Sequence, residues 1–244
     1  SLAILGVLAI VCLIGPEVTL AEGVELKSHV SVTGWTDIGA GTVVYPFASL
    51  GQVPQDLKFK GERTRLIIGA NNRIRENVTM NTGTEGGGGI TRVGDGGLFM
   101  ANSHVAHDCQ IGNRVIMANS VALSGHVDVE DKAILGGLSG VHQECVVGTM
   151  AFVGGMTRVI KDVAPYMIVE GNPAQCHGPN TVGLRRNGFT VEQRQLVKTL
   201  YRLMFRSHLN TTQALQEIEA TVPDSPERAH FLGFFRKSLR GVTQ

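Results

Sequence analysis

The stretch that decides the fold runs from Val93 to Val159: VGDGGLFMANSHVAHDCQIGNRVIMANSVALSGHVDVEDKAILGGLSGVHQECVVGTMAFVGGMTRV. A large apolar residue recurs there at every sixth position: Val93, Phe99, Val105, Ile111, Met117, Leu123, Val129, Leu135, Val141, Val147, Val153 and Val159. Four residues after each comes a second, mostly small series: Gly97, Ser103, Cys109, Val115, Val121, Val127, Ala133, Ser139, Cys145, Ala151, Thr157 and Val163. A large and a small residue locked to a period of six is the mark of a hexapeptide β-helix. Residues i−2 and i of a short strand point the same way, so the small residue and the next large one both face inward. Three hexads close one triangular coil of about 18 residues, and residues that far apart stack at roughly 4.8 Å. Neighbouring coils bury a shared core that no single repeat could bury alone.

The same register extends toward the N-terminus through Ile14, Leu20, Leu26, Val32, Ile38, Val44 and Leu50. The apolar run LAILGVLAIVCLI, residues 2–14, is shorter than the roughly 20 residues of a membrane span and lacks the basic start of a secretory signal. Leu2, Leu8 and Ile14 keep the six-residue register, so the run reads as a first coil, although its outward positions are unusually apolar. Two segments break the period. GQVPQDLKFKGERTR, residues 51–65, puts Asp56 and Glu62 in slots meant for apolar side chains, so it is expected as a loop expelled from a coil. The register resumes at Ile68, Ile74 and Met80, and a second expelled loop is expected over 81–92, where NTGTEGGGG is glycine-rich and flexible. Long excursions from a regular solenoid usually carry function.

Past Val163, Pro165 and the segment EGNPA (170–174) end the repeat, and the period changes. Thr190 with Gln193 makes a capping box, and a helix is expected to about Ser207. A second is expected over 213–220, and a third opens at Ser225 with Pro226 in its first turn. The expected fold is mainly β with an α C-terminus: a parallel β-helix domain over 1–165 and a helical domain over 166–244.

A net charge of +1 argues against a bulk nucleic-acid or anionic-membrane binder, and no transmembrane segment is expected. The C-terminal part is locally basic (Arg185, Arg186, Arg194, Lys198, Arg202, Arg236), either a solvated helical face or a surface for an anionic partner. Cys109 and Cys145 fall in the inward series, as buried free thiols that fit a reducing compartment and a cytoplasmic location.

The chemistry-bearing residues are histidines. The hexads starting at 105, 123 and 141 are 18 residues apart, so they stack on one wall and carry His107, His126 and His142, with His104 on its border. None is in an inward position. Asp108 is in line with His126, while Gly125 and Gln143 are in line with His107, Gly125 leaving space beside the imidazole. His29, many coils away, reads as a bystander. Imidazoles beside a carboxylate can take a proton from a hydroxyl near neutral pH. The rival use is a metal, with His104, His107 and His126 as zinc ligands in a lyase resembling hexapeptide carbonic anhydrases. A purely structural solenoid has no reason to gather imidazoles on one wall.

SHVAHDC (103–109), LSGHV (123–127), SGVHQ (139–143) and GLRRNGF (183–189) resemble, in order and separation, the UDP-N-acetylglucosamine O-acyltransferases, which begin lipid A synthesis. The likeness runs from about Ile14 to the C-terminus and includes PQDLKFKGERTR. It implies left-handed coils, a homotrimer with active sites between subunits, acyl carrier protein as the donor's carrier, a UDP-sugar acceptor, and neither a cofactor nor a metal. It further implies His107 as general base, Asp108 as its electrostatic support and the Gly125 N–H as oxyanion donor. By the same likeness Asp56, Lys58, His104 and His126 contact the sugar nucleotide or acyl chain, and His142, Gln143, Asn180 and Arg186 hold the nucleotide. Gly155 stands at the acyl-chain ruler, with Phe152 nearby. Departures are Asn81 for a histidine, Val182 for an acidic residue and Asn187 for an arginine. They leave open a related N-acyltransferase acting on an amine.

Overall fold

A computed structural model describes residues 11–244. Leu2 and Leu8, read above as part of a first coil, lie outside the described residues. Three sheets of eight, seven and nine strands, counted among the described residues and parallel except for the last strand of the third, form the walls of a left-handed β-helix. Most strands are only two residues long, one outward residue followed by one inward. All twelve large residues from Val93 to Val159 are buried, at 3% exposure or less. The companion series is buried as well, Cys109 and Cys145 included. Both are free thiols. Burial pushes the Cys109 thiol up to about 12 and that of Cys145 to about 11, so neither offers a thiolate near neutral pH.

The regular coils pair residues 18 apart: His104 with Ala122, Ala122 with Gly140, Gly140 with Arg158. The two interruptions change that spacing by fixed amounts. Leu50 pairs with Met80 and Ile38 with Ile68, 30 residues apart, so twelve residues are looped out after the strand Ser49–Gln52. Met80 pairs with Val105 and Ile68 with Val93, 25 residues apart, so seven are looped out after Thr79–Asn81. The first insertion equals two hexads; the second is not a multiple of six, yet the walls stay in register, with Val93 back on Ile68 and Val105 on Met80. The second loop is shorter than the sequence suggested. The strand Ile90–Val93 already pairs with Arg65–Ile68, and between them Glu85–Gly87 makes one 3-10 turn. Far from hanging free, this loop is folded down onto the wall below it.

The corners are built by non-glycine residues in the left-handed region. From Asn102 to Met156, every sixth residue has φ between 54° and 62°. Such a conformation costs about 1–2 kcal/mol for an L-residue. It is repaid through hydrogen bonds between coils, such as His126 N–H to His107 O at 3.0 Å.

Parallel pairing runs past Pro165. The strand Met167–Glu170 pairs with Phe152–Val153, and Gln175–Pro179 then turns back antiparallel. Four helices follow: α1 (Thr181–Arg186), α2 (Val191–Phe205), α3 (Thr211–Thr221) and α4 (Pro226–Lys237). Thr190 and Gln193 make the expected reciprocal cap on α2, and Ser225 caps α4 with Pro226 in its first turn. The periodicity had not revealed α1. A second core of Phe231, Phe235, Leu200 and Ile218 packs the helices together and against Met150 and Met167.

A polar clasp joins helix to prism across 100 residues of sequence. Glu130 Oε2 accepts from His230 Nε2 at 2.8 Å and from the Thr149 N–H and hydroxyl at 2.7 and 2.9 Å. Hydrogen bonding to Glu130 raises the His230 pKa against the opposing effect of burial. Burial would raise Glu130, but the bonds from His230 and Thr149 outweigh it and hold the carboxyl below its usual range. The signs define a window. The raised histidine contributes stability that is fully present below about pH 6.5 and is lost as pH rises through its folded value. The lowered glutamate contributes above about pH 4.3, and that part is lost on acidification. With both side chains partly exposed, the pair is worth about 1 kcal/mol or less. His230→Ala should therefore lower the melting temperature by about 2–4 °C near pH 5.5, with the difference shrinking toward pH 8. Parallel thermal scans at both pH values check this.

Candidate active site

The corner geometry brings the chemistry together. Asp108 and His126 occupy the same corner position one coil apart, with φ of 61° and 60°, and His107 immediately precedes Asp108. His107 Nδ1 lies 2.9 Å from Asp108 Oδ2 and His126 Nε2 3.7 Å from the same oxygen. The two rings meet edge to face, with centroids 5.1 Å apart. The Asp108 side chain is 1% exposed. A carboxylate only accepts, so the ring proton of His107 belongs on Nδ1 and Nε2 carries the free lone pair.

The imidazole packs against Gly125. A Cβ built on Gly125 would be 2.7 Å from Nε2 and 3.1 Å from Nδ1, and it would strike Cε1. Stacking therefore does not leave empty space beside the imidazole, as the sequence had suggested. The imidazole itself fills the room a side chain would need. The Gly125 N–H makes no backbone hydrogen bond among the described residues, whereas its carbonyl accepts from Glu144 N–H at 3.2 Å. A proton acceptor and a free backbone donor thus stand side by side, as addition to a carbonyl requires.

Two residues missed in the sequence hold this arrangement. Thr84, in the glycine-rich loop, donates its N–H to Asp108 Oδ1 at 2.8 Å and its hydroxyl to Oδ2 at 2.6 Å. The Thr91 hydroxyl accepts from the Asp108 N–H at 2.8 Å. No spacing rule could have found Thr84, because its loop lies outside the repeat.

The family model described as UDP N-acetylglucosamine O-acyltransferase, domain 2, matches residues 162–243. The acyl-[acyl-carrier-protein]–UDP-N-acetylglucosamine O-acyltransferase of Anaeromyxobacter dehalogenans is 53% identical over 194 residues, covering 80% of this chain and 76% of that protein. The chain belongs to the UDP-N-acetylglucosamine O-acyltransferase family. Among solved structures, LpxA from Acinetobacter baumannii is 41% identical with a TM-score of 0.91, over 96% of this chain and 91% of that one. The UDP-N-acetylglucosamine acyltransferase of Arabidopsis is 33% identical with a TM-score of 0.85, over 96% and 94%.

The other residues singled out in this acyltransferase are placed unevenly. His104 is half-buried beside the dyad. Its Nδ1 meets the Thr79 hydroxyl at 2.7 Å, and burial, then the neighbouring His107, pulls its pKa down. His142 and Gln143 are exposed, with His142 Nδ1 3.2 Å from the Gln143 carbonyl. Among the described residues, His142 makes no hydrogen bond or ring contact with the other two imidazoles, so two rings converge and not three.

Asp56 and Lys58 sit on the twelve-residue loop, where Asp56 Oδ1 accepts from the Lys58 N–H at 2.9 Å. The buried Asn81 ties that loop to the prism, its amide donating to the Val53 carbonyl at 3.1 Å. Asn180 is 7% exposed and caps α1, accepting from Gly183 N–H at 3.0 Å and donating to Met150 O at 2.9 Å. Both ends of its amide are spent on structure within this chain. Asn187 folds back onto the Gly183 carbonyl, while Val182 and Arg186 face outward. Gly155 is exposed in a cavity of about 540 Å3 with Pro173 and His177, and a Cβ there would come 3.3 Å from the Gly137 carbonyl.

Donor atoms of His107, Asp108 and His126 lie within 4.8 Å of one another, close enough to share a metal ion. The zinc reading from sequence named His104 in place of Asp108. His104 is instead engaged by Thr79.

Proposed function

We propose that this acyltransferase moves a (3-hydroxy)acyl chain from acyl carrier protein to the 3-position of UDP-N-acetylglucosamine, the first step of lipid A synthesis. The observation that carries the reading is the His107–Asp108 hydrogen bond, with the imidazole packed against Gly125, whose N–H makes no backbone hydrogen bond among the described residues. In this mechanism His107 Nε2 takes the proton of the sugar 3-hydroxyl as that oxygen attacks the thioester carbonyl. Asp108 stabilises the imidazolium that forms. The Gly125 N–H donates to the oxyanion of the tetrahedral intermediate. Collapse expels the carrier thiolate, which recovers the proton, and no metal or small-molecule cofactor takes part.

The exposed positions of His142, Gln143 and Arg186, and the projecting loop of Asp56 and Lys58, suit a site completed by a neighbouring copy, so we place the active sites between subunits of a homotrimer. There His104 and His126 meet the sugar, and Asn180 shapes the nucleotide end through the helix it caps. Gly155 leaves the acyl groove open. The buried free thiols suit a reducing cytoplasm. Among the described residues, no helix is long and apolar enough to cross a membrane. Nothing among the relatives reported above favours the amine-acceptor or zinc-lyase alternatives.

The test is a mass spectrum of the product formed from UDP-N-acetylglucosamine and a mixture of acyl carrier thioesters of different length. An ester at the sugar hydroxyl, formed with chelator present, is the expected result. No acyl-sugar product from any donor would sink the reading.

A further inference from the structure

The glycine-rich loop does more than leave the prism. Its base is pinned by Arg65 N–H to Gly89 O at 2.8 Å and Gly83 N–H to Arg65 O at 3.2 Å. Its backbone lies directly on the Asp108 carboxylate. A Cβ on Gly83 would come 2.7 Å from Oδ1, and one on Gly87 would collide with the same group. Glycine is needed at both places so that main chain, with no side chain between, can approach the carboxylate. Thr84 stands between them, nine-tenths buried, and its hydroxyl also accepts from Gly87 N–H at 3.2 Å. One residue of the loop therefore grips both oxygens of one buried carboxylate.

The grip has a consequence for catalysis. Asp108 Oδ2 faces two imidazoles, His107 at 2.9 Å and His126 at 3.7 Å. The difference is under an ångström, so a modest rotation of a free carboxylate would serve either ring. Thr84 blocks that rotation: the N–H anchors Oδ1 while the hydroxyl occupies a lone pair of Oδ2. We propose that Thr84 is a positioning residue which fixes the Asp108 carboxylate so that His107, and not His126, is the imidazole it orients. This deepens the acyl-transfer reading and rests on it.

Thr84→Val keeps the shape and the N–H but loses the hydroxyl, Thr84→Ala removes the bulk as well, and Thr84→Ser restores the donor. The readouts are kcat, KM for the UDP-sugar, the pH–rate profile, and the downfield imidazole N–H proton resonance, assigned by its loss in His107→Ala.

Thr84→Val and Thr84→Ala should lose about 10–100-fold in kcat with KM within about threefold, since misplacement of a catalytic group by an ångström can cost that much. Their pH–rate profile should depart from the parent's and the resonance should shift, whereas Thr84→Ser should stay close to the parent on all counts. Should the valine variant not fold, the alanine variant and the resonance carry the test. Parental kcat, pH profile and resonance in the hydroxyl-less variants would overturn the proposal. So would a loss confined to KM. A parent enzyme that transfers no acyl chain would count against the acyl-transfer reading instead, so the two failures are distinguishable.

Discussion

Replacing His107 with alanine should lower acyl transfer by about 10²–10⁴-fold, the usual contribution of a positioned general base. The loss should fall on kcat. In the proposed mechanism the ring acts on the proton that moves in the transition state, while the rest of the acceptor site is left in place. Stability should change little, because His107 points away from the prism core and Asp108 keeps both of its bonds to Thr84. Steady-state kinetics, with circular dichroism and thermal unfolding as the control on folding, decides the matter. A variant that keeps near-parental kcat would remove His107 from the role assigned to it.

Gly125→Ala should be nearly as damaging, although it adds one methyl group and removes nothing. The new carbon would lie 2.7 Å from His107 Nε2. Relaxed contacts between heavy atoms are about 3.5–4.0 Å, so the ring must move by roughly 1 Å. Displacement on that scale can cost about 100-fold in rate. The methyl would also crowd the path to the Gly125 N–H. Gly125 is not among the glycines with positive φ, so the backbone accepts alanine and the chain should still fold. Overpacking typically costs about 1–3 kcal/mol, a visible but survivable drop in melting temperature. The measurement is kcat beside the folding midpoint. If alanine at 125 supports the parental rate, the ring does not stand over this backbone during turnover, and the pairing of base and oxyanion donor is wrong.

These predictions differ in how far they could be reached from the chain alone. His107 was legible because one period governs the wall: with the coil length known, Asp108 and His126 had to be stacked. The close contact at Gly125 was half legible. Vertical alignment put 125 over 107, but whether the gap was open or filled by the ring depended on a side-chain torsion that no repeat pattern specifies. His142 illustrates the limit of the alignment argument. It occupies the correct wall, yet its ring meets its neighbour's carbonyl and makes no ring contact with the other two imidazoles among the described residues. Asn180 adds what the family likeness could not show, since its amide caps α1 and bonds the Met150 carbonyl.

The sequence by itself determined the β-helix, the inward series, the stacked corners and the capped starts of α2 and α4, while α3 begins at Thr211, two residues before the expected 213. These are local rules, period six for the coil and cap chemistry for the helices, repeated until they leave no alternative. Only the tertiary structure decided what the excursions do. Thr84 reaches Asp108 across 24 residues and His230 reaches Glu130 across 100, and both contacts join segments that obey different periods or none. Loop closure leaves no periodic trace in the residues it brings together, so a contact made that way becomes visible only once the chain has folded.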